Sequence, residues 1–289
     1  MKLGYACINW DLCKPKTFKL VSFSEERFHD SFKHNLECLR KTLEWNVQNG
    51  FFFFRISSDL IPFASHPVNN IKWWGIYENE LKNIGKFIKK NNIRISMHPD
   101  QFVVINSPKD DVAKKAFKDL EWHHRLLDSM TLDSDAKIQI HIGGVYDDKE
   151  KAIKRFIDNY KKLSNDIKKR IVIENDEISY SLKDVLYISK ETKIPVVFDV
   201  FHHKILNNNE SLKEALLLAS KTWKKKDGIM MIDYSTGKTR KHDVSLNIKE
   251  FESFIKQAKN IGIDFDIMLE VKDKEKSAIR ALKIIKNIN

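Results

Sequence analysis

Seven residues able to bind metal or carry protons stand at or just after the ends of apolar runs, and two more lie in loops. His98 closes IRISMH (93–98), His141 lies in KIQIHIG (137–143), and Glu174 lies in RIVIEN (170–175). Asp199 belongs to PVVFDV (195–200) and is followed three residues later by His202. Asp233 and Glu270 take the same place in GIMMIDY (228–234) and FDIMLEV (265–271), while His66 and His242 fall in loops. Carboxylates brought together repel one another unless cations neutralise them. Mixed His, Asp and Glu donors suit Zn²⁺, Mn²⁺ or Fe²⁺, whereas Mg²⁺ and Ca²⁺ favour oxygen alone. The set exceeds the needs of one ion, so two or three divalent cations are expected.

Such a set needs a scaffold that delivers many strand ends to one place. Eight short apolar runs, rich in β-branched and aromatic residues, alternate with amphipathic stretches; the first two are 2–8 and 51–57. Near-continuous apolarity is the mark of parallel strands covered on both faces. Helical spacing of three and four recurs over 25–48, 78–90, 109–130, 149–165, 181–191, 210–222, 248–260 and 274–287,. Ser24 and Asn247 are placed to cap two of these helices,. Eight strands alternating with eight helices predict an α/β protein: a single (β/α)₈ TIM barrel over 1–289, with the metal site at the C-terminal ends of the strands. The connection at 57–77, with Trp73 and Trp74, is expected to be a loop over one barrel face.

The 289 residues carry 51 Lys+Arg against 40 Asp+Glu, a net charge of +11 that makes a polyanionic partner electrostatically easy,. Much of it lies on predicted helix faces, where lysine is often no more than solvated surface. A hydrophobic share of 42% supports a sizeable core and excludes a disordered chain,. Cys7, Cys13 and Cys38 are too few for a disulfide framework and lack zinc-knuckle spacing, which fits a reducing compartment,. No apolar run approaches a membrane span and no signal-peptide core forms near Met1, so a soluble, cytoplasmic chain is expected.

After the third run comes HPDQFVVINSP (98–108), which would present Gln101 and Phe102 at the rim of the site. An aromatic ring beside an amide could enter a duplex and unstack a step; on residue type alone, Phe102 packing beneath its loop is the better expectation. Tyr5 and Asn9 add two hydrogen-bonding groups near the first strand end. Trp73 and Trp74 could line a nucleic-acid groove or pack as a cap. His29, His34, His123 and His124 fall in predicted helices as surface or packing residues, and His203 must point away from its neighbour His202.

GYACIN (4–9), RISSDLIPFASH (55–66), HPDQFVVINSP (98–108), IEND (173–176) and FDVFHH (198–203) together resemble the ultraviolet damage endonucleases, in order along nearly the whole chain. The resemblance implies a metal-dependent barrel related to the endonuclease IV superfamily. It also implies incision of duplex DNA immediately 5′ of ultraviolet photoproducts, leaving a 3′-hydroxyl and a 5′-phosphate. By the same resemblance His98, His141 and Glu174 would hold one manganese ion. Glu174 would bridge to a second ion shared with Asp199 and Glu270, and His202 and His242 would hold a third. Glu174, Asp199 and Glu270 become the catalytic carboxylates. Gln101 and Phe102 would probe damage, with Tyr5, Asn9 and His66 on the lesion side.

Two departures stand out. The family's seventh strand ends in Lys-x-His, where this chain has Met231 and Asp233, and many relatives carry Tyr where Phe102 stands. An Asp still offers a harder oxygen donor to a divalent cation, whereas Met231 supplies no amine. The partner implied is damaged duplex DNA, acted on by a monomer without a membrane. Other readings are an abasic-site endonuclease of the endonuclease IV type, a sugar isomerase or epimerase on the same barrel, and a damage-binding protein without catalysis.

Overall fold

The computed structural model describes residues 1–288. Its parallel strands are β1 (Leu3–Cys7), β2 (Phe53–Ile56), β3 (Arg94–Met97), β4 (Lys137–Ile140), β5 (Ile171–Glu174), β6 (Val196–Asp199) and β7 (Met230–Tyr234). A two-stranded hairpin follows, β8 (Gly237–Lys238) against β9 (Lys241–His242), and β10 (Phe265–Leu269) completes the wall. The closed order β1-β10-β7-β6-β5-β4-β3-β2 is that of a (β/α)₈ barrel,.

Period-two alternation sorts each strand into an outer and an inner face. Outward residues such as Phe54, Ile138, Ile173, Phe198 and Ile267 join the large core under the helices. Inward residues form layers. At the N-terminal end Arg94 pairs with Asp266 at 2.8 Å, and Lys137 with Asp227 at 2.8 Å. Ala6, Phe53, Val172, Val197, Met231 and Met268 fill the middle as a separate apolar cluster. One inward step further lie Arg55, Gln139, Glu174, Asp199 and Asp233, all buried. Met231 is thus a packing residue one layer beneath the polar mouth. Gly4 is required where β1 meets β2, because a Cβ there would lie 2.3 Å from the Phe53 carbonyl oxygen,.

The helices follow the sequence periodicity closely, from Glu25–Asn49 to Glu275–Ile288. Ser24 caps the first by accepting from the Arg27 amide at 3.2 Å, and Asn247 caps Ile248–Lys259 through the Glu250 amide,. On the first helix Phe28, Phe32, Leu36, Leu39 and Leu43 are all buried, each large side chain contributing about 1.5–3 kcal/mol,.

Two local expectations are corrected. The 57–77 connection is not wholly loop: it closes with a helical turn, Trp73–Ile76, that buries Trp73 against Phe32 and removes it from any groove. Trp74 lies edge-on to it, under the Arg125 guanidinium. Cys13 and Cys38 are joined as a disulfide with Cα atoms 5.5 Å apart. Their 25-residue separation hid this proximity, which arises because the loop after β1 folds back onto the helix Glu25–Asn49.

Candidate metal centre at the barrel mouth

The strand ends bring most of the expected ligands together. His98 and His141 directly follow β3 and β4, Glu174 and Asp199 end β5 and β6, Asp233 lies on β7, and Glu270 directly follows β10. Asp199 also starts the short helix Val200–Ile205, its Oδ1 accepting from the His202 amide at 2.7 Å. That single turn carries His202 back over the mouth and sends His203 outward, where its Nε2 meets the Glu210 carbonyl at 3.2 Å. His202 Nδ1 faces the Asn175 carbonyl at 3.0 Å, which fixes the ring and leaves Nε2 toward the cleft,. The hairpin β8–β9 sets His242 against His202, with ring centroids 5.7 Å apart. His98, His141, His202, His242 and Glu270 line a cleft of about 350 Å³.

Three sets of ligand atoms lie within 4.8 Å of one another at this mouth: His98, His141 and Glu174; Glu174, Asp199 and His202; Asp199, Asp233 and Glu270. Glu174 belongs to two of them, and so does Asp199. Glu174 Oε1 lies 2.8 Å from His98 Nε2 and 3.1 Å from His141 Nδ1, yet receives no hydrogen bond. Asp199 Oδ2 is also buried without a donor. Buried carboxylate oxygens without donors, facing imidazole lone pairs, are what a divalent cation would satisfy. The residues present therefore fit a metal.

Arg55, which the sequence reading did not single out, enters the same site. Its Nη2 donates to both oxygens of Asp233, at 2.8 and 3.0 Å, and to Gln139 Oε1 at 2.9 Å, while Nη1 pairs with Glu270. Gln139 in turn donates to Glu174 Oε2 at 2.8 Å and to Asp233. Asp233 thus receives the guanidinium on both oxygens and the Gln139 amide on Oδ2. Asn175, which braces Asp199 through paired 3.0 Å bonds, and Glu177, 3.4 Å from His202 Nε2, complete the surroundings. The signal for Arg55 and Gln139 was available: each breaks an apolar run at an inward position, Gln139 two residues before His141.

Electrostatics follow from this packing. Burial would raise the Glu174 carboxyl, but His141 and His98 outweigh it and hold it well below the usual carboxylate range. Burial also opposes the low value of Glu270, about 2, which Arg55 sets. Burial pushes Asp199 well above its ordinary value and raises Asp233 to about 8, despite Arg55 beside it. His202 is raised to about 10 because Asp199 and Glu174 overcome its burial. Fully ionised, the four carboxylates would exceed the one guanidinium by three charges, and without a cation that excess is relieved by the raised Asp199, Asp233 and His202.

The rim residues divide. Phe102 is 72% exposed at the tip of the loop after β3, with Gln101 exposed beside it and lining the cleft, so the expectation that the ring packs beneath its loop is corrected. His66 lies with Phe102 around a neighbouring cleft of about 300 Å³. Tyr5 and Asn9 are both fully buried. Tyr5 faces outward from the barrel wall, donating to Asn46 Oδ1 at 2.7 Å and receiving Asn9 Nδ2 at 3.0 Å, so the pair braces the loop after β1 from beneath. His123, expected as a surface or packing residue, is fully buried between Ser58 and Asp119.

Comparison with known proteins identifies the family of the chain. The family model for the UV-endonuclease UvdE matches residues 1–289. A UV DNA damage endonuclease of Clostridium perfringens is 46% identical over 297 residues, covering all of this chain and 72% of its own. One from Bacillus cereus (strain Q1) is 33% identical over 302 residues, covering 100% and 95%. The crystal structure of SacUVDE superposes with a TM-score of 0.94 at 47% identity over 100% of this chain and 99% of that one. The Escherichia coli 3-keto-D-glucoside 4-epimerase YcjR, at 14% identity and a TM-score of 0.59, shares the barrel fold alone. The chain belongs to the UV-endonuclease UvdE family, whose curated relatives are UV DNA damage endonucleases.

Proposed function

We propose that this enzyme hydrolyses the phosphodiester immediately 5′ of ultraviolet photoproducts in duplex DNA, leaving a 3′-hydroxyl and a 5′-phosphate. Manganese is the proposed cofactor. The observation that carries the reading is the convergence of His98, His141, Glu174, Asp199 and Glu270 around carboxylate oxygens that lack donors. Divalent ions bound there would supply the Lewis acidity that activates water and offsets charge on the phosphoryl group. The three surplus negative charges of the fully ionised set favour two ions at the Glu174 and Asp199 sets. A third would draw on His202 and His242, with Glu177 as its nearest carboxylate. Asp233, held by Arg55, is the least available of the proposed ligands.

The chain's own groups account for the rest. Lys14, Lys16, Lys238, Arg240, Lys241 and Lys272 are exposed on three loops of the mouth, where they would neutralise backbone phosphates without reading sequence,. Phe102 would wedge into the stack while Gln101 offers its amide to orphaned base edges. A photodimer, already poorly stacked, costs less to extrude than normal bases. All proposed ligands come from one chain over 1–289, which supports a single catalytic unit acting as a monomer. A DNA substrate supports a cytoplasmic location, and no described helix is long and apolar enough to cross a membrane.

The test is an end-labelled duplex carrying one cyclobutane pyrimidine dimer, incubated with manganese-loaded enzyme beside undamaged and abasic duplexes. A single nick 5′ of the dimer, ligatable at its 3′-hydroxyl and lost in Glu174→Gln, is expected. Cleavage at the abasic site alone, or binding to irradiated duplex without any nick, would overturn the reading.

A further inference from the structure

Away from the barrel mouth's metal centre, a second group of ligand atoms converges. His34 and Cys38 lie one turn apart on the helix Glu25–Asn49, a spacing that places both side chains on the same face,. Cys13 reaches them from the loop after β1. His34 Nε2 is 3.3 Å from Cys38 Sγ and 3.8 Å from Cys13 Sγ, and the three ligand atoms lie within 4.8 Å of one another. The Lys14 carbonyl oxygen stands beside them, 3.0 Å from the same imidazole nitrogen. Cys13, His34 and Cys38 belong to none of the ligand sets at the mouth, and neither proposed catalysis nor DNA contact uses their side chains.

We propose that Cys13, His34 and Cys38 form, once their disulfide is reduced, a binding site for one soft divalent cation of the zinc class. Two thiolates and an imidazole are the donor set that favours such an ion and disfavours manganese, which prefers oxygen. The fourth position of a tetrahedral site falls to an oxygen, either water or the Lys14 carbonyl. The chemistry balances in two steps. A low-molecular-weight thiol delivers two electrons and two protons to the Cys13–Cys38 bond and is itself oxidised to its disulfide. The cation then takes the place of the two thiol protons, which pass to solvent, while the His34 proton resides on Nδ1 and the Nε2 lone pair binds.

The site also has a structural consequence. Cys13 is bonded back to Asn9, its amide donating to the Asn9 carbonyl at 3.2 Å, and the two residues form an isolated bridge. Filling the site fastens the loop that bears Asn9 to the helix that bears Asn46, the residue that accepts from Tyr5.

Cobalt titration of the reduced protein tests this directly, since a sulfur-to-cobalt charge-transfer band reports thiolate ligation and Cys7→Ser removes the one other thiol, which ends β1 at the mouth. One equivalent should develop the band. It should survive Cys7→Ser and excess Mn²⁺, disappear in both Cys38→Ser and Cys13→Ser, and need at least about tenfold more cobalt in His34→Ala. Circular dichroism confirms that each variant is folded. A reduced, folded protein with both thiols titratable and no band would overturn the proposal, as would a band that persists in Cys38→Ser. Neither result bears on the nuclease reading, which is scored by nicking alone.

Discussion

Replacing Arg55 with methionine tests whether the guanidinium acts as a built-in cation of the metal centre. Methionine retains much of the volume but removes the charge that binds Asp233 twice and pairs with Glu270. Without it, four carboxylates, three of them buried, face one another with only imidazoles to balance them. Breaking a buried pair by deleting one partner costs about 3–5 kcal/mol. At the lower end of the usual sensitivity of melting temperature to stability for large chains, about 2 °C per kcal/mol, that corresponds to a fall of roughly 6–10 °C. Thermal unfolding should show the full loss in chelator and less than half of it in saturating Mn²⁺, because bound cations supply the missing charge. Adding Asp233→Asn removes the carboxylate left most exposed by the first change. The double variant should recover about 1–3 kcal/mol relative to Arg55→Met alone in the metal-free state. An equal loss with and without metal would mean that Arg55 acts through packing, and no recovery in the double variant would refute its pairing with Asp233.

Four further outcomes follow from the same geometry. Phe102→Ala should lower the preference for dimer-containing over undamaged duplex by roughly 5- to 150-fold, in line with about 1–3 kcal/mol for a stacked base, while metal content stays unchanged; equal loss on both substrates, or lost metal, counts against the wedge. Manganese at 100 times its dissociation constant should stabilise the wild type by about 2.7 kcal/mol per site, and a scan that does not move with metal would contradict the centre. Glu174→Gln should reduce manganese stoichiometry as well as incision, since one carboxylate serves two ligand sets; retention of full metal by direct analysis would separate it from the ions. Replacing Lys238, Arg240 and Lys241 together with alanine should flatten the salt dependence of duplex binding by up to about three in log–log slope, without altering damage preference.

The sequence exposed the barrel and most of the centre because both follow from short-range regularities. A run such as IRISMH alternates strictly, so once its outward residues are assigned to the core, His98 must point inward at its end. The same reasoning placed His141, Glu174, Asp199, Asp233 and Glu270 at the mouth. What stayed hidden depends on distances between chain segments. Arg55 and Asp233 are 178 residues apart, and nothing at either position names the other. The replacement of Lys-x-His by Met231 and Asp233 looked, from the sequence, like the loss of an amine and the exchange of one ligand for another. In the fold, Met231 joins an apolar layer with Val172, Val197 and Met268, while Asp233 turns to Arg55. The positive charge near these carboxylates is thus delivered from β2 by a guanidinium that keeps its proton under all working conditions. A guanidinium offers no lone pair to an ion, so it can balance charge but cannot bridge metals. In the proposed centre Glu174 and Asp199, the two carboxylates shared between ligand sets, would therefore hold neighbouring ions, and Gln139, which ties Glu174 to the Arg55–Asp233 pair, would carry the influence of that fixed charge to Glu174.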